Sequence, residues 1–260
     1  MIKNYIELNN INYKDILNNF SISFFKNKFY TLTGANSCGK STLLRLISNE
    51  IELIDDINLN DKLLSDYDKI DYKRIVTLLD ENNLSFSEEI ISNEIKLQLL
   101  KNNSYSKEYL KSTLLKYDLY ESRNRKINNL SLQEKIYLMF IKIVLGNYEV
   151  ILIDNIDNYC NKETMNKIIN IINYIKNNKL IIMTIKDINY SLESDELIVI
   201  NKKGIVLKGK PIDVLNKDNI LNKNGIELPF MYDLSIKLRD YNLVDEIILD
   251  QDRMIDKLWK

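Results

Sequence analysis

The stretch "FYTLTGANSCGKSTLLRLIS", residues 29 to 48, restricts this chain more than any other. Phe29 to Gly34 is a short apolar run that predicts a strand, and Lys40 to Ser48 carries leucines and isoleucine at helical spacing. Between them stand Gly34, four residues, then Gly39, Lys40 and Ser41. Strand, glycine loop and helix in that order are the context of a phosphate-binding loop. The backbone N–H groups of Gly34, Ala35, Asn36, Ser37, Cys38 and Gly39 can surround a phosphate where the helix dipole favours an anion. Lys40 then neutralises the β- and γ-oxygens of a nucleoside triphosphate. The Ser41 hydroxyl, followed by Thr42, ligates Mg²⁺. The predicted ligand is a nucleotide with Mg²⁺.

The other apolar runs extend this unit into a sheet. "EVILID", "LIIMTI" and "ELIVIN" begin at Glu149, Leu180 and Glu196, and each holds a continuous run of four apolar residues. Such runs suit strands covered on both faces, so the expected fold is α/β with a mostly parallel central sheet. Asp154, closing the first of these strands, is placed to hold the same metal through water. Residues 83–129 read as a helical insert, with Ile90, Ile91, Ile95 and Leu99 at helical spacing. The expected division is a nucleotide-binding domain over 1–209 and a small C-terminal domain over 210–260, after the break at Lys210–Pro211. In that small domain Phe230, Leu234 and Leu238 are expected to share one helix face, and Ile255 and Leu258 another.

Composition removes several function classes. The 260 residues carry a net charge of −1, so no basic field draws in nucleic acid. Two cysteines make no disulfide framework, no run approaches the roughly 18 apolar residues of a membrane span, and Met1 to Asn12 lacks the apolar core of a signal peptide. The expectation is a cytoplasmic chain. Cys38 has no demanded chemistry and is expected to face solvent unless a nucleotide covers it.

Between the glycine loop and Asp154 lies "LSLQEK", a helix start with Ser131 as its cap. Its position and the helical insert before it resemble the ATP-binding subunits of ABC transporters, which carry an LSGGQ signature there. "NSCGKST" and the tail "ELPFMYDLSIKLRDYNLVDEIILDQDRMIDKLW" are similar to the energy-coupling-factor (ECF) subfamily. The resemblance spans essentially the whole chain. It implies ATP as the nucleotide, and a role as cytoplasmic energising subunit of a vitamin or metal-ion importer, bound at the inner membrane face through a membrane-embedded partner. It also implies a second ATPase subunit, a paralogue in a heterodimer, with each loop facing the other subunit's signature, and a C-terminal domain that holds the two together. Tyr13 would be the aromatic that stacks on adenine.

Several positions depart from that pattern. Ser37 stands where a loop glycine is usual. Leu132 and Gln133 replace the signature glycines, crowding a place where bare backbone is needed, although Ser131 remains. The glutamate that polarises water in the family is Asn155, which cannot accept a proton at neutral pH. The family glutamine after the first helix aligns with Asp80, whose carboxylate could touch Mg²⁺, and Asn161 takes the place of a loop aspartate. The chain has no histidine, and Lys186 stands at the switch-histidine position. Two alternatives follow: a catalytically degenerate half of a heterodimer, or a soluble regulator of the same fold.

Overall fold

The computed structural model describes residues 4–51 and 57–259. The outer bounds of the two expected domains, residues 1 and 260, lie outside that description, as do the first three residues of the stretch read for a signal peptide.

The chain opens with two antiparallel strands, β1 (Asn4–Tyr13) and β2 (Leu17–Phe25), followed by β3 (Lys28–Thr33). Helix α1 (Lys40–Ile47) follows the glycine loop. Next come β4 (Ile57–Leu59), β5 (Lys62–Leu63), α2 (Lys69–Ile75) and β6 (Val76–Leu79). The insert contributes α3 (Ile91–Lys101) and α4 (Lys107–Lys116). It leads into α5 (Leu132–Leu145), β7 (Val150–Ile153), α6 (Lys162–Ile175), β8 (Leu180–Thr184), β9 (Glu196–Asn201) and β10 (Gly204–Gly209). Four helices end the chain: α7 (Pro211–Leu215), α8 (Asp218–Lys223), α9 (Phe230–Asp240) and α10 (Gln251–Leu258).

The central sheet runs β10-β9-β3-β8-β7-β6, parallel except for the β9–β10 hairpin. Strand alternation sorts its side chains onto two cores. Val150 and Leu152 of β7 face the layer built by β1, β2 and α1, while Ile151 and Ile153 face α3, α5 and α6. Both faces of the central strands are covered, which explains why β7 is apolar at every position and why β8 and β9 are mostly apolar, with Thr31 and Thr33 of β3 and Thr184 of β8 also buried. A second sheet, β2-β1-β4-β5, is antiparallel and was not anticipated from the sequence. Asn10 of β1 and Asn19 of β2 are left-handed and the β1–β2 pairing has register shifts, so strict alternation is broken.

The insert is helical as expected over α3 and α4, but residues 83–90 ahead of it are not helix, and Ile90 forms an isolated bridge to Lys126. Buried Glu94 holds this segment: Oε2 accepts the Ser87 and Glu88 N–H groups, while Oε1 pairs with Lys142. The C-terminal helix faces differ from expectation. Phe230 is 74% exposed, whereas Tyr232 and Ser235 are fully buried. Ser235 Oγ donates to the Ile248 carbonyl and accepts the Ile248 N–H, and the Tyr232 hydroxyl reaches Asn216 and the Ile212 carbonyl. Side chains that satisfy backbone groups turned the helix, and apolar spacing alone is blind to them. Likewise Met254 is the buried residue of α10, with Ile255 and Leu258 outward.

Candidate functional site

The loop after β3 is shaped by close contacts at two glycines. A Cβ on Gly34 would run into the carbonyl oxygen of Ile200 on β9. Gly39 lies at φ 101, where a Cβ would also meet Leu17 Cδ2 at 2.8 Å. Ser37 adopts φ 60, a left-handed conformation that a glycine would hold without strain. Gly39 provides no side-chain cap to α1 and the first turn carries no acid, so the first N–H groups of the helix have no side-chain partner. Lys40 folds back over the loop, with Nζ donating to the carbonyls of Gly34 at 2.8 Å and Ala35 at 3.1 Å. Cys38 is 1% exposed rather than open to solvent, because its Sγ packs inward near Lys40 Nζ at 3.8 Å.

The ends of β7 and β8 meet this loop. Asp154 is buried, and its Oδ1 accepts from Thr184 Oγ1 at 2.5 Å and from Asn155 Nδ2 at 2.9 Å. The same Asn155 Nδ2 donates to Ser41 Oγ at 3.2 Å. One amide group therefore bridges the two oxygens that would hold a metal. A hydroxyl and a carboxylate converging on one point are hard donors that fit Mg²⁺ with water completing the shell. Asn155 reaches this place from a left-handed backbone, φ 47, which asparagine tolerates.

Lys186 follows β8, is exposed and lines the cleft. Its position is set by Asp157, whose Oδ2 accepts the N–H groups of Lys186 at 2.7 Å and Asp187 at 2.9 Å. The other oxygen, Oδ1, is buried without a partner among the described residues. Burial pushes the Asp157 carboxyl above the usual carboxylate range, against the pull of those N–H groups.

The cleft above the loop has a volume of about 1040 Å³. All the loop residues from Gly34 to Thr42 line it, together with Asn155 and Lys186. Asp154 is buried and does not itself line the cleft, and three further expected site residues lie elsewhere. Tyr13 packs against the core, and Ile16 lines the cleft instead. Asp80 is 1% exposed and caps a turn: Oδ1 accepts the Asn82 and Asn83 N–H groups, and Oδ2 lies 3.5 Å from Arg45. Ser131 caps α5 away from the cleft, in a capping box with Glu134. Its N–H and hydroxyl both donate to Glu134 Oε2 at 2.8 Å, and Arg125 holds the other oxygen. Gln133 Oε1 accepts the N–H of Asn161, which in turn caps α6. Asp157 was missed in the sequence although it stands three residues after Asp154. Glu227, another lining residue, opens the "ELPF" tail, whose pattern gives no sign of a place in the cleft.

Comparison with known proteins agrees with this geometry. Residues 17–158 match the family described as "ABC transporter". The chain is 26% identical over 257 residues to the energy-coupling factor transporter ATP-binding protein EcfA1 of Mesomycoplasma hyopneumoniae (strain 7448), covering 94% of this chain and 91% of that protein. It is 26% identical over 244 residues to the corresponding EcfA of Pediococcus pentosaceus, covering 88% and 87%. Among solved structures, cbiO1 from Clostridium perfringens, part of the ABC transporter complex cbiONQ, superposes with a TM-score of 0.69 at 16% identity, over 85% of this chain and 94% of that one.

Proposed function

Because the chain belongs to the ABC transporter family, we propose that it is the ATP-binding subunit of an ECF-type importer, energising a membrane-embedded partner. The observation that carries this is the convergence of Lys40, Ser41, Asp154 and Asn155 on one glycine loop at the ends of parallel strands. The names of the similar ATP-binding proteins support the subfamily. No helix among the described residues is long and apolar enough to cross a membrane, in keeping with attachment through another chain. A second ATPase subunit, a paralogue, faces this one across the nucleotides, and the C-terminal helices contribute to pairing. Vitamins or metal ions are the cargo class.

The residues act as follows. Loop N–H groups and Lys40 bind the β- and γ-phosphates, with Lys40 exchanging its bonds to the Gly34 and Ala35 carbonyls for phosphate oxygens. Ser41 and Asp154 would hold Mg²⁺, which would supply charge neutralisation on those oxygens. Asn155 orients water but takes no proton, and Lys186 offers a fixed positive charge at the cleft wall. Turnover at this site is slow, since a positioned general base is worth about 10²–10⁴ in rate. At the other end, Ser131 spends its donors on Glu134 and must release them to meet a partner's phosphate.

The test has two readings. At about 100 times Kd, Mg-ATP should stabilise the parent by about 2.7 kcal/mol, or about 5–10 °C for a chain of this size, and Lys40→Ala should abolish the shift. An equal shift in both proteins would sink the loop assignment. In its own cells the tagged chain should sediment with membranes and be released by detergent together with a membrane protein; recovery solely as free chain would sink the importer reading.

A further inference from the structure

A triphosphate seated on the loop leaves a ribose and a base to be placed. The cleft wall made by Asn155, Asp157 and Lys186 is polar, and among the described residues no aromatic lines the cleft. Asn158, Asp187 and Asn189 extend that wall, and the lining also takes in Ile16 in the turn after β1 and residues 225–229 between α8 and α9. This second segment is firmly seated. Gly225 turns the chain at φ 70, Ile226 is 7% exposed, and Leu228 packs into the same apolar cluster. That cluster includes Ile188, two residues beyond Lys186, so the segment and the end of β8 share one anchor. Pro229 is buried at the start of α9. Between these anchors Glu227 is exposed, lines the cleft, and has no partner among the described residues.

An ionised carboxylate only accepts hydrogen bonds, and phosphates at neutral pH have none to give. The donors on a nucleotide are the ribose hydroxyls and base amines, so Glu227 belongs with the nucleoside half of the ligand. The adjacent 2′- and 3′-hydroxyls together match the two oxygens of one carboxylate. We propose that residues 225–229 form the nucleoside wall of this chain's own nucleotide site, with Glu227 accepting from the ribose hydroxyls and Leu228 and Pro229 facing Ile16 across the base. The C-terminal helices are then part of the binding site as well as an appendage. This rests on the phosphate-loop reading above.

The test is titration calorimetry of the full chain, with Mg²⁺ present, against ATP, 2′,3′-dideoxy-ATP and tripolyphosphate. Glu227→Ala should weaken ATP about tenfold, the effect of one hydrogen bond to a charged group. The dideoxy compound should bind the parent about tenfold more weakly than ATP and lose nothing further in the variant. Tripolyphosphate should bind both proteins alike, or the variant slightly tighter as a negative charge is gone. Glu227→Gln, which keeps an acceptor, should fall between parent and Glu227→Ala. Unchanged ATP affinity in Glu227→Ala would overturn the proposal, as would an equal loss on tripolyphosphate. A parent that binds tripolyphosphate as tightly as ATP overturns the wall alone. A parent that binds neither overturns the phosphate loop and the wall with it.

Discussion

Replacing Asn155 by Glu tests the proposed loss of a general base at this position, and the structure sets what the change costs. Asn155 sits at φ 47, where glutamate is strained by about 1 kcal/mol and asparagine by less. Its amide bonds to Ser41 Oγ at 3.2 Å and Asp154 Oδ1 at 2.9 Å disappear, at about 0.5–1.5 kcal/mol each. The new carboxylate also lies beside Asp154, itself 4% exposed, so like charges add to the penalty. The sum is about 2–4 kcal/mol, which lowers Tm by about 5–12 °C in metal-free buffer. Mg-ATP should recover much of this, because a cation held by Ser41 and Asp154 would take over the role of the amide. Phosphate release should rise by less than the full 10²–10⁴ of a general base. The obstacle is the other end of the site, where Leu132 and Gln133 remain. Adding Leu132→Gly and Gln133→Gly should give a gain larger than the separate effects combined. Thermal unfolding with EDTA and with Mg-ATP, alongside phosphate release at saturating ligand, measures both halves. An unchanged metal-free Tm in Asn155→Glu would refute the bridging role of the amide. A parent rate equal to that of the triple variant would refute the reading of these positions as losses.

Ser37→Gly should raise stability by up to about 1 kcal/mol, since relief of the φ 60 conformation outweighs the added freedom of the unfolded glycine; a lower urea midpoint would contradict this. Arg125 beside Glu134, with the Ser131 donors, holds its carboxyl at about 2, well below the usual value of 4.5. A depressed carboxylate stabilises the fold above its unfolded pKa and loses that contribution as pH falls through the folded one. The urea midpoint of the parent should therefore drop more than that of Glu134→Gln as pH falls from about 5 to 2, modestly because exposed pairs are screened; parallel curves would count against the capping box. Phe230 and Trp259 are 74% and 83% exposed on the C-terminal helices. If these helices pair two subunits, Phe230→Ser with Trp259→Ser should reduce the dimer fraction in light scattering and leave Mg-ATP binding in place. An undiminished dimer would remove pairing from their role.

The sequence by itself determined what depends on local geometry. Strand, loop and helix from Phe29 to Ser48 are contiguous, so Gly34, Gly39, Lys40 and Ser41 announce their arrangement through spacing alone. The core strands were equally legible, since burial on both faces leaves runs that are mostly apolar. The antiparallel β1–β2 layer was not legible, because left-handed residues and register shifts disturb its alternation. Nor were the faces of α9 and α10, where the hydrogen bonds of Ser235 and Tyr232 decided what turned inward. Only the tertiary structure could bring Asn155 onto Ser41, 114 positions earlier, or tie Lys186 to Asp157 across 29. Only it could place Glu227 in the cleft. Such contacts are set by which strands lie side by side and by where the chain returns, and no pattern of neighbouring residues encodes that.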